Sequence, residues 1–475
     1  MSQTSNAGDT PQALITFHGT LVHYDAGARC LRHAAIGACQ ANVFVVRRGT
    51  DVVLVARDGD QVRTLGRHGP DLRTLAFDDD PGVLTLVPAG QDLVSLRAEG
   101  GFLRAERGGA MDFSRPDALD WERFLPIGLD DLANLEFVLS NRWFSALSGA
   151  VFEPESDPGV GRHRVQFGSG RYRIEDIAGA ARSGSGMPRE LLLMSEGWKS
   201  ERYILFRPLT YLAAYGSEEI FRCAELAIGS LFEFGAWNGD VLVMTGLANA
   251  GFAQRLPDTI RERIHVVPIP ADDVLDYTLA RYRIADLALA DMYQPVIYID
   301  TDVVCDAPLP PLARLIALSH DLQVAPEFSL GTPSPYYGQP LMTADGMAID
   351  ASQRGLSSCI FAFRDIKEQR RLFHTIIETA YSVAKSAGRR DPFECYDQPF
   401  FNYVLRKTRL GNPTLFENAV MVHHNHLPVL TTPVRKGFVH FAGGVGNAAP
   451  KLTQMMSYID TLRRDPAGQA GPVTP

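Results

Sequence analysis

No apolar run in the chain approaches the roughly 18 to 20 residues that a membrane-crossing helix needs, so no integral span is expected. The opening residues, MSQTSNAGDTPQ, carry neither a basic start nor an apolar stretch behind it, which argues against a secretory leader and leads us to expect a cytoplasmic protein. Cysteine is sparse. The six residues Cys30, Cys39, Cys223, Cys305, Cys359 and Cys395 include no C-x-x-C pair, so neither a disulfide framework nor a zinc knuckle is indicated, and most should be buried thiols. Positive charge is outweighed, with a net charge of -9, and a chain without a basic stripe cannot displace counterions broadly from nucleic-acid phosphates. A nucleic-acid partner is therefore not expected. A small anion held by a few local positive groups is compatible with the same balance.

Hydrophobic residues make up 45% and charged residues 21% of the 475, the balance of a globular protein with disorder confined to tails at 1–9 and 466–475. That length exceeds one ordinary core and predicts at least two domains. The first part of the chain is built of short alternating runs broken by glycine, such as LVHYDAG, ANVFVVRRG and DVVLVARDG, which predict hairpins of an all-β domain. Three segments recur in phase, LVARDGDQVRT from Leu54, LRAEGGFLRAE from Leu96 and LSNRWFSALSG from Leu139, with starts 42 and 43 residues apart. Each unit alone would leave an apolar face wet, so one hairpin unit used three times is the expected architecture.

VSLRAEGGFLRAERGG followed by DWERFLPI resembles the repeat of a fascin-type β-trefoil. The resemblance implies a β-trefoil-like domain over 10–177, three hairpin units closing into a small barrel. Ricin-type lectins of similar architecture carry Q-x-W in their sugar pockets, whereas none of Trp121, Trp143, Trp198 and Trp237 has Gln two places before it. A structural or docking role is the expectation for this domain.

AGAARSGSGMP, residues 178–188, is small, polar and glycine-rich, the composition of a linker. Beyond it, over 189–465, apolar strands alternate with helical stretches, which predicts an α/β domain. TYLAAYG, DVLVMTG, HVVPIP and PVIYID read as strands; a helix over about 217–235 and a helix DYTLARYRIADLALAD are interleaved with them. The last of these strands delivers Asp300 and Asp302, one residue apart, to the carboxyl end of a buried run. Ligands collect outside the carboxyl ends of strands in open α/β sheets. If extension continues through Thr301, both carboxylates share one face. Unpaired carboxylates at such a place call for neutralisation, which a divalent cation supplies. Late in the domain, GFVHFAGGVGNAAPK offers His440, glycines at 443, 444 and 446, and Lys451. An imidazole can complete an Asp/Asp site and tilts it from Mg²⁺ toward Mn²⁺. Glycine N–H groups or a lysine could meet a diphosphate. The helix KLTQMMSYIDTL that follows places Leu452, Met455, Met456, Ile459 and Leu462 on one packing stripe. VHHNH, residues 423–426 after Val422, reads as a set of loop histidines rather than a metal cluster.

LARYRIADLALADMYQPVIYIDTDVVCDAPL, SSCIFAFRD, DQPFFNYVL and VHFAGG with its following lysine, in that order, resemble the retaining glycosyltransferases of family 8, the group that includes glycogenin and bacterial lipopolysaccharide galactosyltransferases. The likeness covers about 203–462 and implies a GT-A fold, Rossmann-like with a mixed sheet, acting as a hexosyltransferase on a nucleotide-sugar donor, usually a UDP-sugar, bound through Mn²⁺ with Mg²⁺ the alternative. By the same resemblance Asp300 and Asp302 match the metal-binding acid pair and His440 the third metal ligand. Arg281 stands where an arginine reaches the donor. Asp397 and Gln398 match the pair lying against the donor sugar, with Asn402 completing that motif. Ala213, Ala214 and Tyr215 close the strand beside the base, and Lys451 or the turn of Gly443 and Gly444 would contact the diphosphate. The acceptor would be a glycan, lipid or protein hydroxyl.

Three positions depart from the family pattern. Its N-S-G reads Ser357-Ser358-Cys359 here, Tyr215 replaces an acid that contacts the base, and His440 and Lys451 stand 11 residues apart, more than usual. Two further readings stay open. IYIDTDVV also fits the nucleophile strand of a haloacid-dehalogenase-type phosphatase, although the long α/β stretch ahead of it and the late His440 loop favour a transferase. The altered donor motifs also admit a protein that binds a nucleotide-sugar without turning it over.

Overall fold

The computed structural model describes residues 10–48, 51–58, 61–67, 75–77, 82–90, 92–156, 164–168, 170–182, 187–194, 200–331, 334–390, 392–393, 395–443 and 448–465; the expected tails at 1–9 and 466–475 lie outside these. The chain divides into two units, Met1–Leu205 and Phe206–Pro475.

In the first unit the alternating runs become β1 (Gln12–Thr16), β2 (Thr20–Asp25), β3 (Cys30–Ala35), β4 (Val43–Arg48), β5 (Asp51–Asp58), β6 (Gln61–Arg67), β7 (Leu75–Phe77), β8 (Leu84–Pro88), β9 (Val94–Ala98), β10 (Gly101–Ala105), β11 (Met111–Arg115) and β12 (Phe124–Gly128). Six of them close a ring, β1-β4-β5-β8-β9-β12 and back to β1, with every neighbour antiparallel. The other six form three hairpins, β2-β3, β6-β7 and β10-β11, one between each successive pair of ring strands. Closure removes the exposed edges that would otherwise invite pairing with another chain. Leu14, Leu54 and Leu96 occupy equivalent strands β1, β5 and β9 and are fully buried in one core.

The third copy of the repeat is therefore the one upstream, at Leu14, and not the segment from Leu139. That segment spans the end of a helix, Leu129–Ser140, and β13 (Trp143–Ser145), and it packs in a different core with Trp143 fully buried. The segment matches the repeat only in the interval between starts, since Gly149 stands ten residues after Leu139 where the other copies have a glycine at five, and strand pairing places it elsewhere. The ring ends at Gly128, short of the expected 177. The rest of the unit adds β14 (Val151–Phe152), β15 (Glu155–Ser156), β16 (Arg164–Phe167), β17 (Gly170–Arg173), a helix Ile174–Ala181, β18 (Glu190–Met194) and β19 (Ser200–Leu205).

The expected linker at 178–188 is not where the units part. Ala178 and Ala181 are buried on the helix Ile174–Ala181, and β19 returns to pair with β13, which holds the chain in the first unit as far as Leu205. Residues 183–186 of that segment lie outside the described residues.

The second unit opens with β20 (Leu209–Ala214), followed by a helix Glu218–Glu233, then β21 (Asp240–Thr245), β22 (Ile264–Pro268), β23 (Val296–Ile299), β24 (Val303–Cys305), β25 (Gln323–Ser329), β26 (Arg354–Phe363), β27 (Val420–His424) and β28 (Phe438–Ala442). The main sheet has the order β22-β21-β20-β23-β26-β25. Its first four strands are parallel, and β26 pairs antiparallel with both β23 and β25, a mixed α/β sheet. β23 is buried along its whole length, as a continuous apolar run in the middle of a sheet covered on both faces should be. A second sheet, β24-β28-β27, hangs on the residues that follow Asp302.

Two helices differ from expectation. DYTLARYRIADLALAD is one short helix, Val274–Leu279, followed by 3₁₀ turns over Ala280–Asp286 and Ala288–Met292. Arg281 Nε donates to the Thr278 carbonyl at 2.9 Å, taking an acceptor that a continuing α ladder would use. In the helix Ala448–Arg464, Leu452, Met455, Ile459 and Leu462 are buried as expected, whereas Met456 is 45% exposed, because the buried stripe widens toward Gln454 and Tyr458 on its other side. All six cysteines are free; Cys223 and Cys305 are buried and the other four are half-buried.

Candidate active site

The strand order reverses at β20. β21 and β22 extend the sheet on one side of it and β23 lies on the other, so the carboxyl ends of β20 and β23 flank the crevice where doubly wound sheets bind ligands. Asp300 leaves β23 at that point, and its backbone N–H donates to the Cys359 carbonyl of β26 at 2.8 Å.

The chain does not stay extended through Thr301. A turn at Thr301 and Asp302 separates the two acids, and Asp302 is positioned by the second sheet, its carbonyl accepting from Phe441 N at 2.9 Å. The carboxylates consequently have different partners. Asp300 accepts from the Tyr298 hydroxyl and lies 3.2 Å from Arg281 Nη2. Asp302 holds Lys451 Nζ at 2.7 Å through Oδ2 and sits 3.4 Å from His440 Nε2 through Oδ1.

That register brings His440 in. Val303 of β24 pairs with His440 of β28, directly after the turn. Burial disfavours a charged Asp302, but Lys451 and His440 outweigh it and hold the carboxyl well below the usual range. Burial likewise opposes the imidazolium of His440, and the Asp302 charge overcomes it, raising its pKa. Asp302 also raises Lys451. One carboxylate thus draws together Lys451 of the helix Ala448–Arg464 and His440 of β28.

Around Asp300 the core itself supplies the polar groups. Tyr298, Tyr282, Phe361, Phe373 and Phe401 pack together, with Tyr298 and Phe361 stacked at 4.8 Å. The two tyrosines point their hydroxyls out of this aromatic cluster, Tyr298 to Asp300 and Tyr282 to Asp397 Oδ2 at 2.7 Å. Arg281, 8% exposed at its side chain, lies over the Tyr298 ring at 5.0 Å and bridges the two acids, with Asp397 Oδ2 at 3.6 Å from its Nε. Its Nη1 donates to the Ser358 carbonyl at 2.6 Å. Burial raises the Asp397 carboxyl despite Arg281 and Tyr282 beside it. Asp397 is the N-cap residue of the helix Gln398–Thr408, yet its side chain makes no capping bond and turns to Arg281 instead.

The remaining expected residues fall as follows. Gln398 accepts from Ser358 N at 3.4 Å and donates to Glu327 Oε2 at 3.3 Å. Asn402 clasps the Leu356 backbone from both sides, a structural role that ties the helix to β26. Ala213 and Ala214 end β20, and Thr245 Oγ1 donates to the Ala214 carbonyl at 2.7 Å. Tyr215 stacks on Tyr277 at 5.1 Å and donates to the Ile269 carbonyl at 3.1 Å, so its hydroxyl already has an acceptor. Gly443 has φ +120°, and a Cβ there would lie 2.6 Å from Asn425 Oδ1. Gly444 lies outside the described residues. His424 and His426 stack on each other at 5.5 Å, and His424 stacks on Phe328 at 6.0 Å.

Cys359, marked in the sequence only as a departure from N-S-G, is not among the expected ligands. Asp300, Cys359 and His440 each bring one ligand atom to a common place, all within 4.8 Å of one another. Asp302 Oδ1 is buried beside them without a hydrogen-bond partner, because its approach to His440 lacks hydrogen-bond geometry. A buried carboxylate oxygen with no donor next to three convergent ligand atoms suits a divalent cation.

The His440 shift predicts a pH dependence. A folded pKa above the free value near about 6.5 means stability that is complete below that pH and lost as pH rises through the folded value. His33, lowered to about 4 by burial and by His18 and His23, works in the opposite sense at lower pH. In chelator, wild-type protein should lose thermal stability relative to His440→Gln as pH rises above neutrality. Parallel melting profiles for the two proteins from pH 6 to 9 would rule out a charged His440.

No family model matches the sequence, and no curated protein matches it. Solved structures similar to part of it include two glycosyltransferases. One is the apo form of the glycosyltransferase GlyE of Streptococcus pneumoniae TIGR4, at 12% identity and a TM-score of 0.34, over 54% of this chain and 64% of that one. The other is an active-site mutant of LgtC, at 15% identity and a TM-score of 0.35, over 53% of this chain and 95% of that one. This chain therefore spans less than two thirds of the GlyE chain. Among the described residues no helix is long and apolar enough to cross a membrane.

Proposed function

We propose that the second unit is a GT-A glycosyltransferase of the family 8 kind, transferring a hexose from a nucleotide-sugar, with a UDP-sugar the expected donor, to an acceptor hydroxyl with retention. The convergence of Asp300, Cys359 and His440 at the switch point of the sheet, with the Asp302–Lys451 pair alongside, carries this reading. The donor set fits a divalent cation, Mn²⁺ by the resemblance or Mg²⁺, held by Asp300, Asp302 and His440. Such an ion supplies Lewis acidity to the departing diphosphate oxygen.

The chain's own groups have separable tasks. Lys451, drawn to the site by Asp302, offers positive charge where the leaving diphosphate gains negative charge. Gly443, at a φ of +120° and with Asn425 filling the place of a side chain, gives a turn whose backbone N–H can meet a phosphate oxygen. Arg281 fixes Asp300 and Asp397 relative to each other. Asp397 and Gln398 orient the sugar and support its anomeric carbon as positive charge develops, without a covalent role for either. Ala213, Ala214 and Tyr215 form the wall facing the base. For the part of the first unit that ends at Gly128 we propose a fascin-type β-trefoil with a structural or docking role; its closed ring and three hairpins support that reading.

The test is a panel of nucleotide-sugars with Mn²⁺, read as free nucleoside diphosphate. Release that depends on one donor and stops in chelator is the expected result. Saturable binding without release would make the protein a nucleotide-sugar binder. Inorganic phosphate from phosphomonoesters, with no action on nucleotide-sugars, would replace the transferase by a haloacid-dehalogenase-type phosphatase.

A further inference from the structure

The thiol of Cys359 stands in the position that family 8 reserves for glycine, and the antiparallel register of β23 and β26 aims it at the cation site. Ile299 pairs with Ile360, and one step further the Asp300 N–H donates to the Cys359 carbonyl at 2.8 Å. The side chain is half-buried, and its sulfur lies within 4.8 Å of both an Asp300 carboxylate oxygen and a His440 ring nitrogen. A tetrahedral ion with ordinary bonds to sulfur, nitrogen and oxygen sets its ligands about 3.5 Å apart, so the three atoms need to close by at most about 1.3 Å.

We propose that Cys359 is a direct ligand of the cation at Asp300 and His440, and that the site consequently takes a borderline-soft divalent ion such as Zn²⁺ or Co²⁺ in preference to Mg²⁺. This deepens the proposed function, on whose cation site it rests. Sulfur, imidazole nitrogen and carboxylate oxygen form a mixed donor set of the kind that suits Zn²⁺, whereas Mg²⁺ demands oxygen ligands in an octahedron and gives up its waters reluctantly. On coordination the thiol proton passes to solvent and the sulfur binds as thiolate. Asp302 keeps Oδ2 on Lys451 and leaves Oδ1, 3.4 Å from His440 Nε2 and without a hydrogen-bond donor, free to join the other three as a carboxylate ligand.

Co²⁺ titration of the full chain, stripped of metal, tests the assignment by absorbance and without reference to turnover. A near-ultraviolet thiolate-to-cobalt charge-transfer band should appear with one equivalent, vanish on addition of Zn²⁺, and survive a large excess of Mg²⁺. Cys359→Ser should lose that band while keeping its circular dichroism, and should bind Zn²⁺ at least tenfold more weakly. Visible cobalt bands that require Asp300 and His440 but come without the thiolate band would overturn the role of Cys359 and leave the transferase reading standing. A thiolate band that persists in Cys359→Ser, or that is indifferent to both Asp300→Asn and His440→Ala, would overturn the assignment by placing the ion elsewhere. Failure of any divalent ion to bind would remove both readings.

Discussion

Asp300→Asn should lower donor turnover about a thousandfold, the effect of removing roughly 4 kcal/mol of charge stabilisation from the reacting centre. The change is nearly isosteric. Its amide oxygen can still accept from the Tyr298 hydroxyl, so the aromatic cluster beneath keeps its polar outlet. Arg281 retains Asp397 as a counter-ion and the Ser358 carbonyl as an acceptor. What the substitution removes is the negative charge that Arg281 and a bound cation both face. The measurement is nucleoside diphosphate release at saturating donor and Mn²⁺, with circular dichroism and thermal midpoint as folding controls. Turnover within tenfold of wild type in a folded Asp300→Asn protein would show that the site lies elsewhere.

Arg281→Met should cost about 3 to 5 kcal/mol of folding stability, the range for breaking a buried ion pair by deleting one partner. Nearly the whole guanidinium is spoken for, by Asp300, Asp397, Ser358 and Thr278. Burial weighs against the charge on Arg281, and the two aspartates reverse that, raising its pKa. Without it, Asp397 is left in a buried place with only neutral side-chain partners, among them the hydroxyls of Tyr282 and Ser358, to receive its charge. Arg281→Met combined with Asp397→Asn should recover part of the loss, because neighbours in one network do not add independently. Urea unfolding of the full chain, fitted so that the two units can unfold separately, is the appropriate measurement. A loss under about 1 kcal/mol for Arg281→Met would mean that its pairs are screened as surface pairs are.

The ring of the first unit was legible as hairpins because alternation and glycine are local signals, yet one of its three copies was assigned to the wrong stretch. Leu139 matches only the interval between starts and lies on a helix, whereas Leu14 takes the equivalent strand position and carries Gly19 five residues on, as Leu54 carries Gly59 and Leu96 carries Gly101. The boundary between units was misread for a related reason. A glycine-rich segment resembles a linker, but β18 and β19 after it pair back with β13, and such pairing is a non-local event.

In the second unit the first four strands, β20 to β23, and the acid pair could be read directly, because β20 and β23 are apolar runs whose burial needs no knowledge of neighbours. The face that each acid presents could not. Alternation would put Asp300 and Asp302 together, but the turn at Thr301 and the pairing of Val303 with His440 assign them to two different cation systems. Cys359 illustrates the same limit, since nothing in SSCIFAFRD says which strand lies beside it.

The sequence by itself determined that this chain has an all-β part and an α/β part, and that acids, a histidine and a lysine gather late in the α/β part, because periodicity and composition act over a few residues at a time. Only the tertiary structure decided which copy of the repeat closes the ring, where one unit gives way to the next, and that a thiol joins Asp300 and His440. Register between strands far apart in the chain is fixed by the packing of whole sheets, and a slip of one residue would turn each of those side chains to the opposite face.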